Sequence, residues 1–176
     1  LDKDPRIVPN PTIIGSPELK DDEGPLHVVR DGIVVIKKGA IVPDGLLEIC
    51  QAPSHGRYNH PEDRRNLPLD PGFEGFGRAS TDTTGCARFS TVKPGRVPWP
   101  AGGLQAAHIN ISVFARGVLN RLATRLYFEG DEALADDPVL KLVDPARRTT
   151  LIATRDGDGV WRLPIHLGGP NETVFF

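Results

Sequence analysis

From Ala107 to Phe114 the chain reads Ala-His-Ile-Asn-Ile-Ser-Val-Phe, a strict alternation of apolar and polar side chains. A β-strand sends successive side chains to opposite faces, so Ile109, Ile111 and Val113 share one face while His108, Asn110 and Ser112 share the other. Working outward from it, short runs rich in Val, Ile, Leu, Phe and Thr recur along the chain. They are Leu26 to Arg30, Ile33 to Lys37, Leu46 to Gln51, Ala87 to Lys93, Leu122 to Phe128, Thr150 to Thr154 and Val160 to Leu167. Between them fall 19 Gly and 17 Pro, about a fifth of the chain against a usual ~12%. Short runs separated by so many turn formers predict an all-β fold, a two-sheet antiparallel β-sandwich with long loops. One short helix is expected at Asp131 to Ala135, stopping before Asp136, Asp137 and Pro138.

The composition bounds the function. A chain of 176 residues with a net charge of −2 and 39% hydrophobic residues reads as a single globular unit, large enough for a core without disulfide or metal staples. No basic block offers a nucleic-acid groove or a polybasic membrane surface, so neither partner is expected. No apolar run approaches the ~20 residues of a membrane-spanning helix, and the charged start Leu1 to Arg6 is unlike a signal peptide. A cytoplasmic location is expected. The absence of Met points to a chain that is processed, trimmed or not a raw gene product.

The first 25 residues are Pro-rich and polar and read as an extended N-terminal arm, with the sandwich domain over 26–176. The stretch Ala52 to Gly77 is too long for a passive connector and reads as an ordered excursion able to carry a site. Cys50 and Cys86 each lie in an apolar run and read as buried free thiols rather than a bridge. His55 and His60 flank Tyr58 but are read as solvated side chains. Asp136, Asp137, Asp156 and Asp158 are a cluster in number only; Asp156-Gly157-Asp158-Gly159 reads as a hairpin turn, without the spacing or terminal Glu of a calcium loop.

The alternating strand also carries half of a metal-site pattern. Residues i and i+2 lie about 6.6–6.8 Å apart on one face, so a His-x-His pair there would hold a metal ion. The second member is Asn110, whose neutral amide oxygen is a weak donor beside an imidazole nitrogen.

The run His108-Ile109-Asn110-Ile111-Ser112-Val113-Phe114-Ala115-Arg116-Gly117 resembles the matching segment of α chains in the protocatechuate 3,4-dioxygenase family of intradiol ring-cleaving enzymes. The resemblance continues in order through Val42 to Gln51, Gly56-Arg57-Tyr58, Phe76-Gly77-Arg78, Thr91 to Pro98, Thr124 to Phe128, Arg147 to Ala153 and Glu172 to Phe176. It implies a sandwich paired with a second, similar β chain that holds non-haem Fe(III) through two Tyr and two His. In this chain those four ligand positions match Tyr58, Val97, His108 and Asn110, and an Arg of the iron-bearing chains matches Gln105. The resemblance therefore implies no metal or cofactor in this chain, no catalytic residue of its own, and Fe(III) in the partner. Protocatechuate and O2 would meet at a shared pocket and yield 3-carboxy-cis,cis-muconate, a step of the β-ketoadipate pathway. Arg116 matches an α-chain Arg that approaches the substrate carboxylate. Thr12, Gly15 and Pro17 match, with altered spacing, an arm that reaches the same pocket. Cys50 stands where relatives carry Trp. The alternatives are a transthyretin-like binding module without enzymatic function and a self-sufficient dioxygenase with substituted ligands.

Overall fold

The computed structural model describes the backbone strands β1 (Asp22–Glu23), β2 (His27–Arg30) and β3 (Ile33–Ile36), together with residues 45–176 except Asn59, Leu69 and Asp158. The three strands form an antiparallel sheet in the order β1-β2-β3, with Val28 across from Val35. Thr12, Gly15 and Pro17 lie outside the described residues.

The remaining strands are β4 (Gly45–Cys50), β5 (Phe76–Ser80), β6 (His108–Ala115), β7 (Leu122–Phe128), β8 (Ile152–Arg155) and β9 (Trp161–Arg162). They make one six-stranded sheet in the order β5-β4-β6-β7-β8-β9. The all-β class holds, with two departures from the expected sandwich. First, β7 and β8 are parallel, Tyr127 across from Ile152 and Phe128 across from Ala153. A parallel neighbour requires a crossover connection, and residues 129–151 supply it. Second, Ala87 to Lys93 forms no ladder among the described residues, and the expected Val160 to Leu167 strand shortens to β9. Both segments still alternate in burial: Phe89, Trp161, Leu163, Ile165 and Leu167 pack onto a core of Ile49, Ile109, Ile111, Val113 and Phe128. Apart from Trp161, which pairs in β9, their side chains cover the sheet without a ladder of their own. Full burial of each such aliphatic side chain contributes about 1.5–3 kcal/mol, and Trp161 adds an edge-on contact to Phe128 at 5.2 Å.

The opposite face of the sheet packs under the crossover. Ala106, Tyr127, Leu140, Val143 and Leu151 form that second core. The helix expected to stop at Ala135 is a 3-10 turn, Glu132–Asp136, followed by α1 (Pro138–Leu142) and a second 3-10 turn, Pro145–Leu151. Asp-Asp-Pro starts a helix here rather than ending one. Asp137 caps the backbone N–H groups of Val139 and Leu140 while Pro138 fills the first turn, where its missing N–H costs nothing. Asp144 followed by Pro145 repeats the device.

Strand β5 was not foreseen, because Gly77 and Arg78 dilute its β signal. It pairs along β4, Ile49 across from Gly77. The turn at Asp156-Gly157 joins β8 to β9 as a hairpin, with Asp156 N–H donating to the Val160 carbonyl at 2.9 Å. Both cysteines are free, as expected, but exposed rather than buried. The crossover and β7 thus frame one end of β6, where the residues singled out by the sequence converge.

Candidate functional site

Tyr58 sits on the long excursion between β4 and β5, which is pinned by polar contacts along its length. At its start the Gln51 side chain ties it to a later segment, taking a hydrogen bond from Thr91 at 2.9 Å and giving one to the Val92 carbonyl at 2.8 Å. Tyr58 N–H donates to Asp63 at 2.8 Å, and Arg65 holds that carboxylate while reaching the Gly56 carbonyl at 2.7 Å. The Arg65 guanidinium, first, and the N–H of Tyr58 keep the Asp63 carboxyl far below the ordinary carboxylate range. The loop then crosses the Arg96-Val97 segment at close quarters. Gly56 has φ +71° and a Cβ there would strike the Arg96 carbonyl, so glycine is what permits the crossing. Gly95 N–H completes it by donating to the Pro53 carbonyl at 2.9 Å.

This crossing sets Tyr58, Val97 and Gln105 around one cleft of about 800 Å³, shared with Cys50, Asp63 and Arg65. Sheet register supplies the other two positions. Asn110 on β6 stands across from Cys50 on β4 and from Arg125 on β7, and His108 across from Tyr127. Asn110 and Arg125 line a second cleft of about 730 Å³, which meets the first at Cys50. Tyr58, Val97, Gln105, His108 and Asn110 are therefore brought to one end of β6. Arg116 is not among them. It follows the other end of the strand, exposed in the turn before β7, roughly 26 Å along the chain from His108 at a strand's rise of about 3.3 Å per residue.

The donor set can be tested against ferric ion, a hard cation that needs anionic oxygen. Burial raises the Tyr58 phenol above its ordinary pKa, and neighbouring Cys50 adds to the rise; Arg125, the Asn110 side chain and Arg65 oppose it. His108, 4% exposed, donates from Nδ1 to the Ala106 carbonyl at 2.8 Å. Burial, before other causes, lowers its pKa, so the ring is neutral with its lone pair on Nε2. Val97, 2% exposed, has no lone pair to offer. One imidazole, one phenol and one amide offer at most a single anionic oxygen and do not fit ferric ion.

His55 pairs with Asp70 at 3.2 Å and His60 accepts the Glu62 N–H at 3.3 Å, both on exposed loop surface. Among the described residues no cluster of His, Cys, Asp or Glu could hold a metal.

Two residues escaped the sequence reading. Asp137 is buried at the cap of α1, where Ala106 N–H and the Tyr127 hydroxyl join its helix donors; the Asp-Pro pair was its signal. Arg125 Nη1 donates to Gln105 at 2.8 Å and contacts the Tyr127 hydroxyl at 3.3 Å. No local pattern marks an Arg in a half-buried strand as anything but surface.

Comparison with known proteins follows the same lines. A family model described as dioxygenase matches residues 15–159. The chain is 42% identical over 158 residues to the protocatechuate 3,4-dioxygenase alpha chain of Burkholderia cepacia, covering 85% of this chain and 76% of that one. It is 44% identical over 163 residues to the alpha chain of Pseudomonas putida, covering 89% and 79%. The beta chain of Burkholderia cepacia is 41% identical over 129 residues, covering 72% and 55%. The family match over residues 15–159 and the long matches to the alpha chains lead to one conclusion: this chain belongs to the dioxygenase family that includes both chains of protocatechuate 3,4-dioxygenase.

Proposed function

We propose that this chain is the iron-free α subunit of a protocatechuate 3,4-dioxygenase, paired with an iron-bearing β subunit whose pocket it helps to line. The reaction it serves opens the ring between the two hydroxyl-bearing carbons. Both atoms of O2 enter the product, 3-carboxy-cis,cis-muconate. Fe(III) in the β chain supplies the activation of the catecholate toward O2. The carrying observation is the donor set at this chain's own ligand positions, where buried Val97 has no lone pair, Asn110 offers only a neutral amide oxygen, and a single Tyr and a single His remain.

Arg116 fits the remaining role. Protocatechuate carries a carboxylate opposite its hydroxyls, and a guanidinium fork holds a carboxylate through paired charge-assisted hydrogen bonds. Its distance from His108 along β6 suits a contribution to a neighbour's pocket rather than to this chain's cradle. The N-terminal arm over 1–25, with Thr12, Gly15 and Pro17, would approach the same pocket. Two free, exposed thiols suit a reducing compartment and support a cytoplasmic location.

The test is to purify the chain alone and together with a β chain, then measure iron and ring cleavage. Iron and activity are expected only in the pair. Stoichiometric iron with a tyrosinate-to-iron absorption band in the chain alone overturns the assignment.

A further inference from the structure

The degenerate cradle contains a cation of its own. Arg125 stands directly across from Asn110 in the β6–β7 register, and opposed side chains on neighbouring strands start about 4.5–5.5 Å apart. From there its guanidinium meets the residues of the cradle: Nη1 is 2.8 Å from the Gln105 amide oxygen, and its charge bears on both the Tyr58 phenol and the His108 ring. It is anchored from behind. The Tyr127 hydroxyl lies 3.3 Å from Nη1 and passes its own hydrogen bond to the buried Asp137 carboxylate at 3.1 Å, while the Phe176 ring lies 6.0 Å from the guanidinium carbon.

A guanidinium held in this way donates hydrogen bonds, accepts none, and carries a positive charge. It satisfies Gln105 while adding a fixed positive charge to a space that a ferric ion would have to enter. Gln105 matters as the acceptor: an Arg at position 105 would set two guanidinium groups against each other.

We propose that the Arg125 guanidinium is the resident cation of this cradle, and that Arg125, as much as Val97 and Asn110, excludes ferric ion from the chain. The inference rests on the reading of positions 58, 97, 108 and 110 given under the proposed function. It has a consequence that the ligand positions alone do not: restoring the missing donors is insufficient while Arg125 stays.

The experiment compares two variants of the full chain, Val97→Tyr/Asn110→His and the same pair with Arg125→Gln. Each is incubated with ferric citrate, desalted, and assayed for iron per chain and for tyrosinate-to-iron absorption, with circular dichroism to verify the fold. At least tenfold more iron is expected in the variant lacking Arg125. Equal iron in the two, whether both loaded or both empty, overturns the proposal. A second measurement avoids the buried Val97 substitution. In the otherwise unaltered chain, Arg125→Lys keeps a cation in the cradle and Arg125→Gln does not, so Arg125→Gln is expected to lower the melting temperature at least twice as far. Equal losses count against a cationic role. Iron in the unaltered chain fails the subunit assignment itself, whereas equal iron in the variants with an iron-free unaltered chain fails only the role of Arg125.

Discussion

The hydroxyl of Tyr127 donates to the carboxylate of Asp137 at 3.1 Å, and this contact ties the C-terminal end of β7 to the cap of α1. The same carboxylate accepts the N–H groups of Val139 and Leu140 at 2.9 and 2.8 Å and that of Ala106 at 2.8 Å. Four donors converge on one carboxylate that is 0% exposed. A buried charge is tolerated when hydrogen bonds replace its water, and charge-assisted bonds do so most effectively. Because Ala106 precedes His108 by two residues and its carbonyl accepts from His108 Nδ1, Asp137 also orients the start of β6.

Asp137→Ala is therefore expected to leave several buried donors without a partner, at a cost on the order of 3–5 kcal/mol. Urea denaturation followed by circular dichroism measures it. A loss below about 1 kcal/mol, the size of an ordinary exposed cap, would show that solvent reaches this carboxylate.

The crossing that joins Tyr58 to Val97 depends on absent side chains. A Cβ on Gly95 would run into the backbone of Gly56, Ser54 and His55, and backbone cannot swing aside as a flexible side chain can. Gly95→Ala is expected to destabilise the chain by about 1–3 kcal/mol, as overpacking does. Thermal denaturation measures the loss.

The Asp63–Arg65 pair makes the same loop acid-sensitive. The folded-state pKa of Asp63 lies well below its ordinary value, chiefly through Arg65, whereas the unfolded carboxyl titrates near ~3.9. The unfolded chain therefore binds the proton first. The stabilisation is complete above that value and fades as pH falls toward the folded-state pKa. Melting temperatures between pH 2 and 6 should decline more steeply for the unaltered chain than for Asp63→Asn; parallel curves would remove Asp63 from the acid limb.

In the assembled enzyme Arg116→Ala is expected to raise KM for protocatechuate by roughly 10- to 150-fold, the equivalent of one charge-assisted contact of about 1.5–3 kcal/mol. Catechols without a carboxylate should change little. Steady-state kinetics on both substrates decides the matter, since an equal rise for both points to assembly rather than to carboxylate recognition.

Much of the fold was legible because side-chain alternation is a local property. His108 to Arg116 and Leu122 to Phe128 could be read as strands before any partner was known, and the first ends one residue earlier, at Ala115. That Val97 and Asn110 offer a metal no strong donor was legible for a related reason: a side chain without a strong donor lacks one in any fold. Pairing was another matter. Ala87 to Ser90 alternates in burial yet finds no ladder among the described residues, since the covering face dictates burial while a hydrogen-bonded strand needs a neighbour of matching register.

The role of Arg125 lay beyond the sequence altogether, because it arises from β6 and β7 standing in register and from a loop sixty residues away folding Tyr58 over them. Asp137 is intermediate: its Asp-Pro pair announces a helix start, but only the packing of α1 against Tyr127 and Ala106 makes its carboxylate buried. Residue chemistry and period belong to the chain itself; burial and the meeting of charges are properties of where segments cross, and only the tertiary structure decides that.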